Sequence, residues 1–181
     1  MVRIFHAAGR GKKWAIRERE TLVVALGAAI AFLLLTQFGI QGYEAEGRCM
    51  EPRLYTGERV LGDKLTFRRR PPRRGDVVIF QYPLDPRQLY IKRVVALGGE
   101  TVEIRDGKVM INGQPLAETY LQRAPHGSFA AHEVVLGSVF MLGDNRDASD
   151  DSRHWGDVDQ QTIVARAWLR YWPLRRCAAP F

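Results

Sequence analysis

The sequence reads as a mainly β domain behind a single N-terminal transmembrane helix, and three features say so. One apolar run without a charge, residues 21–40, is long enough to span a bilayer. After Gly42, apolar and β-branched residues recur in stretches of strand length separated by Gly, Pro and Asx-Gly pairs. No segment beyond Gly42 carries a convincing helical period or helix caps. The expected organisation is a basic cytoplasmic N-terminus at 1–20, a transmembrane helix at 21–40 and an extracytoplasmic β-rich domain at 41–181.

The helix follows from length and charge. At about 1.5 Å per residue, a helix of about 20 residues matches a hydrocarbon core of about 30 Å. Of the +7 net charge, +4 lies ahead of Thr21, carried by Arg3, Arg10, Lys12, Lys13, Arg17 and Arg19. A basic flank of this kind stays cytoplasmic and sends the rest of the chain outward. Residues 41–46 offer no pair of small residues suited to a cleaved leader, so the helix is expected to be retained. Nucleic acid is not an expected partner, because base-stacking aromatics and a basic stripe do not share one element. The chain has 2 cysteines, Cys49 and Cys177, too few for a disulfide scaffold.

Strands are expected at 59–62, 77–80, 90–97, 138–142 and 163–172. A hairpin is expected where 101–105 meets 108–112 across Asp106-Gly107, a pair suited to a type I′ turn. The proline-broken basic stretch 67–76 reads as a surface loop, or as a contact for anionic lipid headgroups. Trp168, Tyr171 and Trp172 read as sheet core, or as aromatics at a membrane interface.

Three stretches carry chemistry. The first, at 46–54, puts Cys49 between Gly47 and Pro52 and reads either as a linker turn holding a small buried thiol or as a nucleophile on a tight turn. The second is Lys92 within YIKRVVAL. On a strand it shares a face with Val94 and Ala96, and the desolvation expected there disfavours an ammonium and suits a general base. A snorkelling or edge lysine is the other reading. The third, at 143–156, is dense in Asp and Ser right after an apolar strand. Arg146 and Arg153 interrupt it and no Glu closes it, so it does not fit a calcium loop. Internal Asp–Arg pairing is expected instead, with no metal and no cofactor.

Taken together, GRCMEPRL at 47–54, GDVVIF and YIKRVVALGGE within 75–100, and GDNRDASDDSRHWG at 143–156 resemble the blocks of type I signal peptidases. The resemblance covers the anchor and almost all of the outer domain. It implies a signal-peptidase-like catalytic fold at the outer face of a bacterial inner membrane, with preprotein signal peptides and membrane lipids as partners. It implies Lys92 as general base, Ser149 as the hydroxyl that hydrogen-bonds and orients it, and Gly47 with the Cys49 N–H at the oxyanion hole. Asp144, Asn145, Arg146, Asp147, Asp151 and Arg153 fall in the family's catalytic loop. Met50, Leu54, Tyr90 and Ile91 resemble the walls of shallow pockets for small side chains.

Cys49 departs from the family, which has serine there. A thiol of reference pKa about 8.5 beside an amine of about 10.4 tends toward a thiolate–ammonium pair. The thiolate attacks readily but also leaves readily, so turnover requires the Lys92 ammonium to protonate the departing amine. An active peptidase is therefore expected. The alternative is a catalytically impaired signal-peptidase-like protein that binds or assembles.

Overall fold

Period-two runs of Val and Ile pair as antiparallel sheets through most of the chain. The structure, a computed structural model, describes residues 10–122 and 126–179. Helix α1 (Arg10–Phe38) belongs to one unit and the residues from Ile40 onward to a second. The helix begins before the expected 21–40 and ends short of it, because Ile40 opens a strand, β1 (Ile40–Glu44), which pairs with β2 (Arg59–Asp63). Among the described residues no helix is long and apolar enough to cross a membrane. Leu22, Val23, Val24, Leu26 and Phe32 of α1 are exposed.

The second unit continues with α2 (Thr66–Arg69), β3 (Val77–Tyr82) and β4 (Asp85–Leu97). Then come β5 (Thr101–Arg105), β6 (Lys108–Ile111), β7 (Gln114–Pro115), β8 (Phe129–Glu133) and β9 (Ser138–Leu142). After the loop beyond β9 follow α3 (Ser152–Trp155), β10 (Val158–Asp159) and β11 (Ile163–Trp172). Among the described residues these strands form a seven-stranded sheet, β1-β2-β11-β3-β4-β9-β10, and a four-stranded sheet, β7-β6-β5-β8. Asp106 and Gly107 take φ of 47° and 77°, the left-handed pair that closes the β5–β6 hairpin.

Strand β3 is buried on both faces. Val77 and Ile79 join Met50, Leu54 and Val60 in one core, while Val78 and Phe80 join Val94, Val139 and Met141 in another. A third core fills the four-stranded sheet and takes in both Val95 and Ala96. Two successive residues share that core because the β4–β9 register shifts between Val94 and Ala96. Ala96 therefore does not lie on the face of Lys92, contrary to simple alternation.

The stretch 67–76 is less loop-like than expected. It starts inside α2, and Asp76 accepts from both Nη atoms of Arg70 at 2.7 and 3.0 Å. Burial works against ionised Asp76, but Arg70, the Arg73 N–H and the charge of Arg166 outweigh it and hold this carboxyl below the ordinary range. Trp168 and Trp172 are exposed rather than sheet core.

Candidate active site

The turn that carries Cys49 hangs from two buried side chains. Met50 and Leu54 are each 1% exposed, and Leu54 N–H donates to the Met50 carbonyl at 2.9 Å. Gly47 has φ of +83°, which an L side chain adopts only with strain. Its carbonyl accepts from Thr56 Oγ1 at 2.9 Å. Cys49 is half-buried, with Sγ 3.9 Å from the Ile91 carbonyl oxygen. Cys49 and Cys177 are both free thiols.

Ile91 leads directly to Lys92, which is 3% exposed. Its Nζ stands 5.2 Å from the centre of the Tyr90 ring, and that ring stacks on Tyr82 at 4.3 Å. The next residue, Arg93, points elsewhere. It grips Asp144 through two hydrogen bonds of 2.7 Å, donates to the Gly75 carbonyl at 2.9 Å and lies 4.1 Å over the Tyr120 ring. Neighbouring cations on one strand thus serve different places, as the pleat requires.

A cleft of about 700 Å³ brings together Gly47, Cys49, Leu54, Tyr90, Ile91 and Lys92. Met50, expected in its wall, does not line it. Its side chain turns under the loop into the core with Val60 and Val77, which fixes the turn from below. Tyr43, Ala45, Val60 and Ile79 line the cleft and were not foreseen. They reach it through the sheet order β1-β2-β11-β3, which no local motif announces. Burial raises the Tyr43 phenol above its usual range, and among the described residues its hydroxyl has no hydrogen-bond partner. The bare Cα of Gly62 makes room for that ring, since a Cβ there would stand 2.6 Å from it.

Gly143 to Gly156 closes the other side. Arg93 pairs with Leu142, so Lys92 comes level with the start of this loop. A Cβ on Gly143 would stand 2.2 Å from Ser149 Oγ and 2.5 Å from the Cys49 carbonyl oxygen, so only glycine fits between them. The Ser149 hydroxyl is buried against Gly143 and makes no hydrogen bond among the described residues, in contrast to its expected bond to Lys92. Packing over the bare Gly143 Cα, which a side chain would fill, is the physical reason.

Only part of the loop's pairing is internal. Arg153 donates to both Asp151 oxygens, at 2.8 and 3.0 Å, and to the Arg146 carbonyl at 2.6 Å. Asp151 also accepts from the Gly143 N–H at 3.1 Å and from the Arg153 N–H at the start of α3. Asp144 and Arg146, however, reach outside the loop, to Arg93 and Glu118. Tyr120, half-buried and beside Glu118, has its phenol pushed well above the usual range by desolvation and by the Glu118 charge. Asp147 faces solvent, where hydrogen bonds from the His126 backbone and ring lower its carboxyl below the ordinary range. Asn145 bonds the nucleophile turn twice, through its backbone N–H to the Cys49 carbonyl at 2.9 Å and through Nδ2 to the Arg48 carbonyl at 3.1 Å.

A thiol and a buried amine facing one cleft are suited to acyl transfer, the thiol attacking a carbonyl and the amine handling protons. Among the described residues no group of three His, Cys, Asp or Glu is arranged to hold a metal.

Comparison with known proteins points the same way. A family model described as signal peptidase, peptidase S26, matches residues 18–172. The chain is 38% identical over 160 residues to a signal peptidase I of Leptolyngbya laminosa, covering 81% of this chain and 78% of that protein. It is 36% identical over 165 residues to a probable signal peptidase I-1 of Synechocystis sp., covering 87% and 84%. Against a signal peptidase I of Bacillus caldolyticus it is 33% identical over 186 residues, covering 95% and 96%.

Proposed function

The chain belongs to the signal peptidase family, peptidase S26, and we propose that it is a membrane-anchored endopeptidase that removes signal peptides from exported preproteins, with Cys49 as nucleophile and Lys92 as proton carrier. The carrying observation is that Cys49 and Lys92 line one cleft, the sulfur resting on the carbonyl of the residue before the lysine.

In the proposed cycle the Cys49 thiol gives its proton to Lys92 Nζ, and sulfur bonds to the scissile carbonyl carbon. The Cys49 N–H and the Gly47 turn receive the oxyanion. As the intermediate collapses, the Lys92 ammonium protonates the departing amine, the C–N bond breaks and a thioester remains. Lys92 then takes a proton from water, whose oxygen attacks the thioester and expels the thiol. Leu54, Tyr90 and Ile91 would form the walls that select small side chains beside the scissile bond. Asp144, Arg146, Asp151 and Arg153 would hold the loop in shape.

The anchor is part of the same proposal. It is supported by the uncharged run 21–40, by its basic flank, and by exposed apolar side chains at successive positions of α1. The reading places the chain in a bacterial plasma membrane with its N-terminus cytoplasmic and the cleft on the outer side. Retention of the full chain in the membrane pellet after alkaline carbonate washing supports the anchor, and release overturns it.

The chemistry is tested with the full chain in detergent and a preprotein substrate. Cleavage after a small residue is expected, and Lys92→Ala should lower kcat by roughly 10²–10⁴-fold. Full activity in Lys92→Ala overturns the proton carrier. A silent wild type beside an active Cys49→Ser assigns the protein to an impaired, binding role.

A further inference from the structure

The three carbonyls of the nucleophile turn are all held. Gly47 O takes the Thr56 hydroxyl at 2.9 Å. Arg48 O takes the Glu51 N–H and Asn145 Nδ2, each at 3.1 Å. Cys49 O takes the Asn145 N–H at 2.9 Å. Among the described residues the cis peptide bonds are Glu51-Pro52 and Trp172-Pro173, so the bond joining Arg48 to Cys49 is trans. A trans peptide is planar, and its C=O and N–H point in opposite directions. Whatever holds the Arg48 oxygen therefore sets the direction of the Cys49 N–H.

We infer that Asn145 is a positioning residue for the oxyanion hole: its side-chain amide fixes the Arg48–Cys49 peptide plane so that the Cys49 N–H faces the scissile carbonyl. This rests on the reading of Cys49 as nucleophile. Asn145 has the right chemistry for the task. It brings a donor on a short side chain, while its own backbone N–H reaches the next carbonyl. Aspartate would set an acceptor against the Arg48 oxygen. Its mount is stiff, because Asp144 on one side is locked to Arg93 and Arg146 on the other donates to the Gly143 carbonyl at 3.1 Å. A carbonyl that accepts two hydrogen bonds also polarises its peptide and makes the N–H a stronger donor. The oxyanion develops only during reaction, so a tilt of this plane affects the transition state more than the bound substrate.

The chain has 2 cysteines, which makes a direct test possible. Labelled with ¹⁵N-cysteine in detergent, the full-length protein gives one amide resonance for Cys49 and one for Cys177. In Asn145→Ala the Cys49 resonance is expected to move and the Cys177 resonance to stay. With a preprotein substrate, kcat should fall by roughly 10–100-fold and KM should change by less than about twofold, since a positioning group costs less than a lost oxyanion donor. Asn145→Asp should resemble Asn145→Ala, while Asn145→Gln, which keeps the donor, should recover part of the loss. An unmoved Cys49 resonance, an unchanged kcat in the folded variant, or a loss confined to KM overturns the inference. If the wild type does not cleave, the proposed function falls, and the Cys49 resonance alone still decides whether Asn145 positions that peptide.

Discussion

Gly143 to Gly156 and Gly47 to Leu54 meet beside the cleft, yet they are secured by different forces. The first is bolted by buried ion pairs, Asp144 to Arg93, Asp151 to Arg153 and Arg146 to Glu118. The second hangs from two apolar side chains and is tied through its carbonyls, while Arg48 and its Glu51 partner lie near solvent. Charges buried in pairs resist displacement, because removing one partner strands the other in a poor solvent. Hydrogen-bonded carbonyls fix direction at a smaller energetic stake. The frame thus carries stability and the turn carries aim.

The largest effect that would break this contrast is expected at Asp144. Asp144→Ala leaves the Arg93 guanidinium buried without its carboxylate, and should destabilise the domain by about 3–5 kcal/mol in denaturant titration. A loss under about 1 kcal/mol would mean that the frame is not secured by charge. Gly143→Ala comes next. Its methyl would stand 2.2 Å from Ser149 Oγ and 2.5 Å from the Cys49 carbonyl oxygen. It should cost about 1–3 kcal/mol of stability and lower cleavage as well, because frame and turn meet at this Cα. Adding Ser149→Gly to Gly143→Ala should restore part of the stability and little of the activity, since the contact with Cys49 remains.

Acid offers a gentler probe, at a partly buried pair outside the frame, Asp76 with Arg70. Asp76 is held below the ordinary carboxylate range, so its contribution is complete above that range and is lost as pH falls through its folded-state value. The stability gap between wild type and Asp76→Asn should therefore be widest near neutrality and shrink in acid. A gap independent of pH would contradict the assignment. The smallest effect belongs to the turn. Arg48→Ala removes an exposed pair with Glu51 at 3.3 Å and should change stability by less than about 1 kcal/mol.

Much of this was legible in the sequence, for physical reasons that differ by residue. Strands β2, β3, β5, β9 and β11 announce themselves by β-branched alternation or burial, and Asp106-Gly107 by turn chemistry. Strand β1 was hidden because Ile40 closes the apolar run and reads as helix. Strand β8, with Ala130 and Ala131 at its centre, has little β propensity of its own and forms by pairing with β5. At the site, the motifs bring Cys49 and Lys92 to one cleft, but a motif does not say which way a side chain turns. Met50 faces the core with Val60 and Val77, and Ser149 leans on Gly143, through tertiary packing that no local motif encodes. Tyr43 was out of reach for the same reason, since its seat depends on the Gly62 Cα beneath it.

The position of Arg93 beside Lys92 also limits what length changes the protein can survive. Along a strand the two cations have fixed addresses, one in the cleft and one on Asp144. A single codon inserted between Tyr90 and Lys92 would advance both by one place, bringing the ammonium to a carboxylate built for a two-pronged grip and the guanidinium to the buried apolar place of Val94. The tip of the β3–β4 hairpin, around Leu84 and Asp85, lies outside that constraint and is where natural or engineered insertions should be tolerated. Reading-frame-preserving insertion scanning across 83–96 would map this boundary residue by residue.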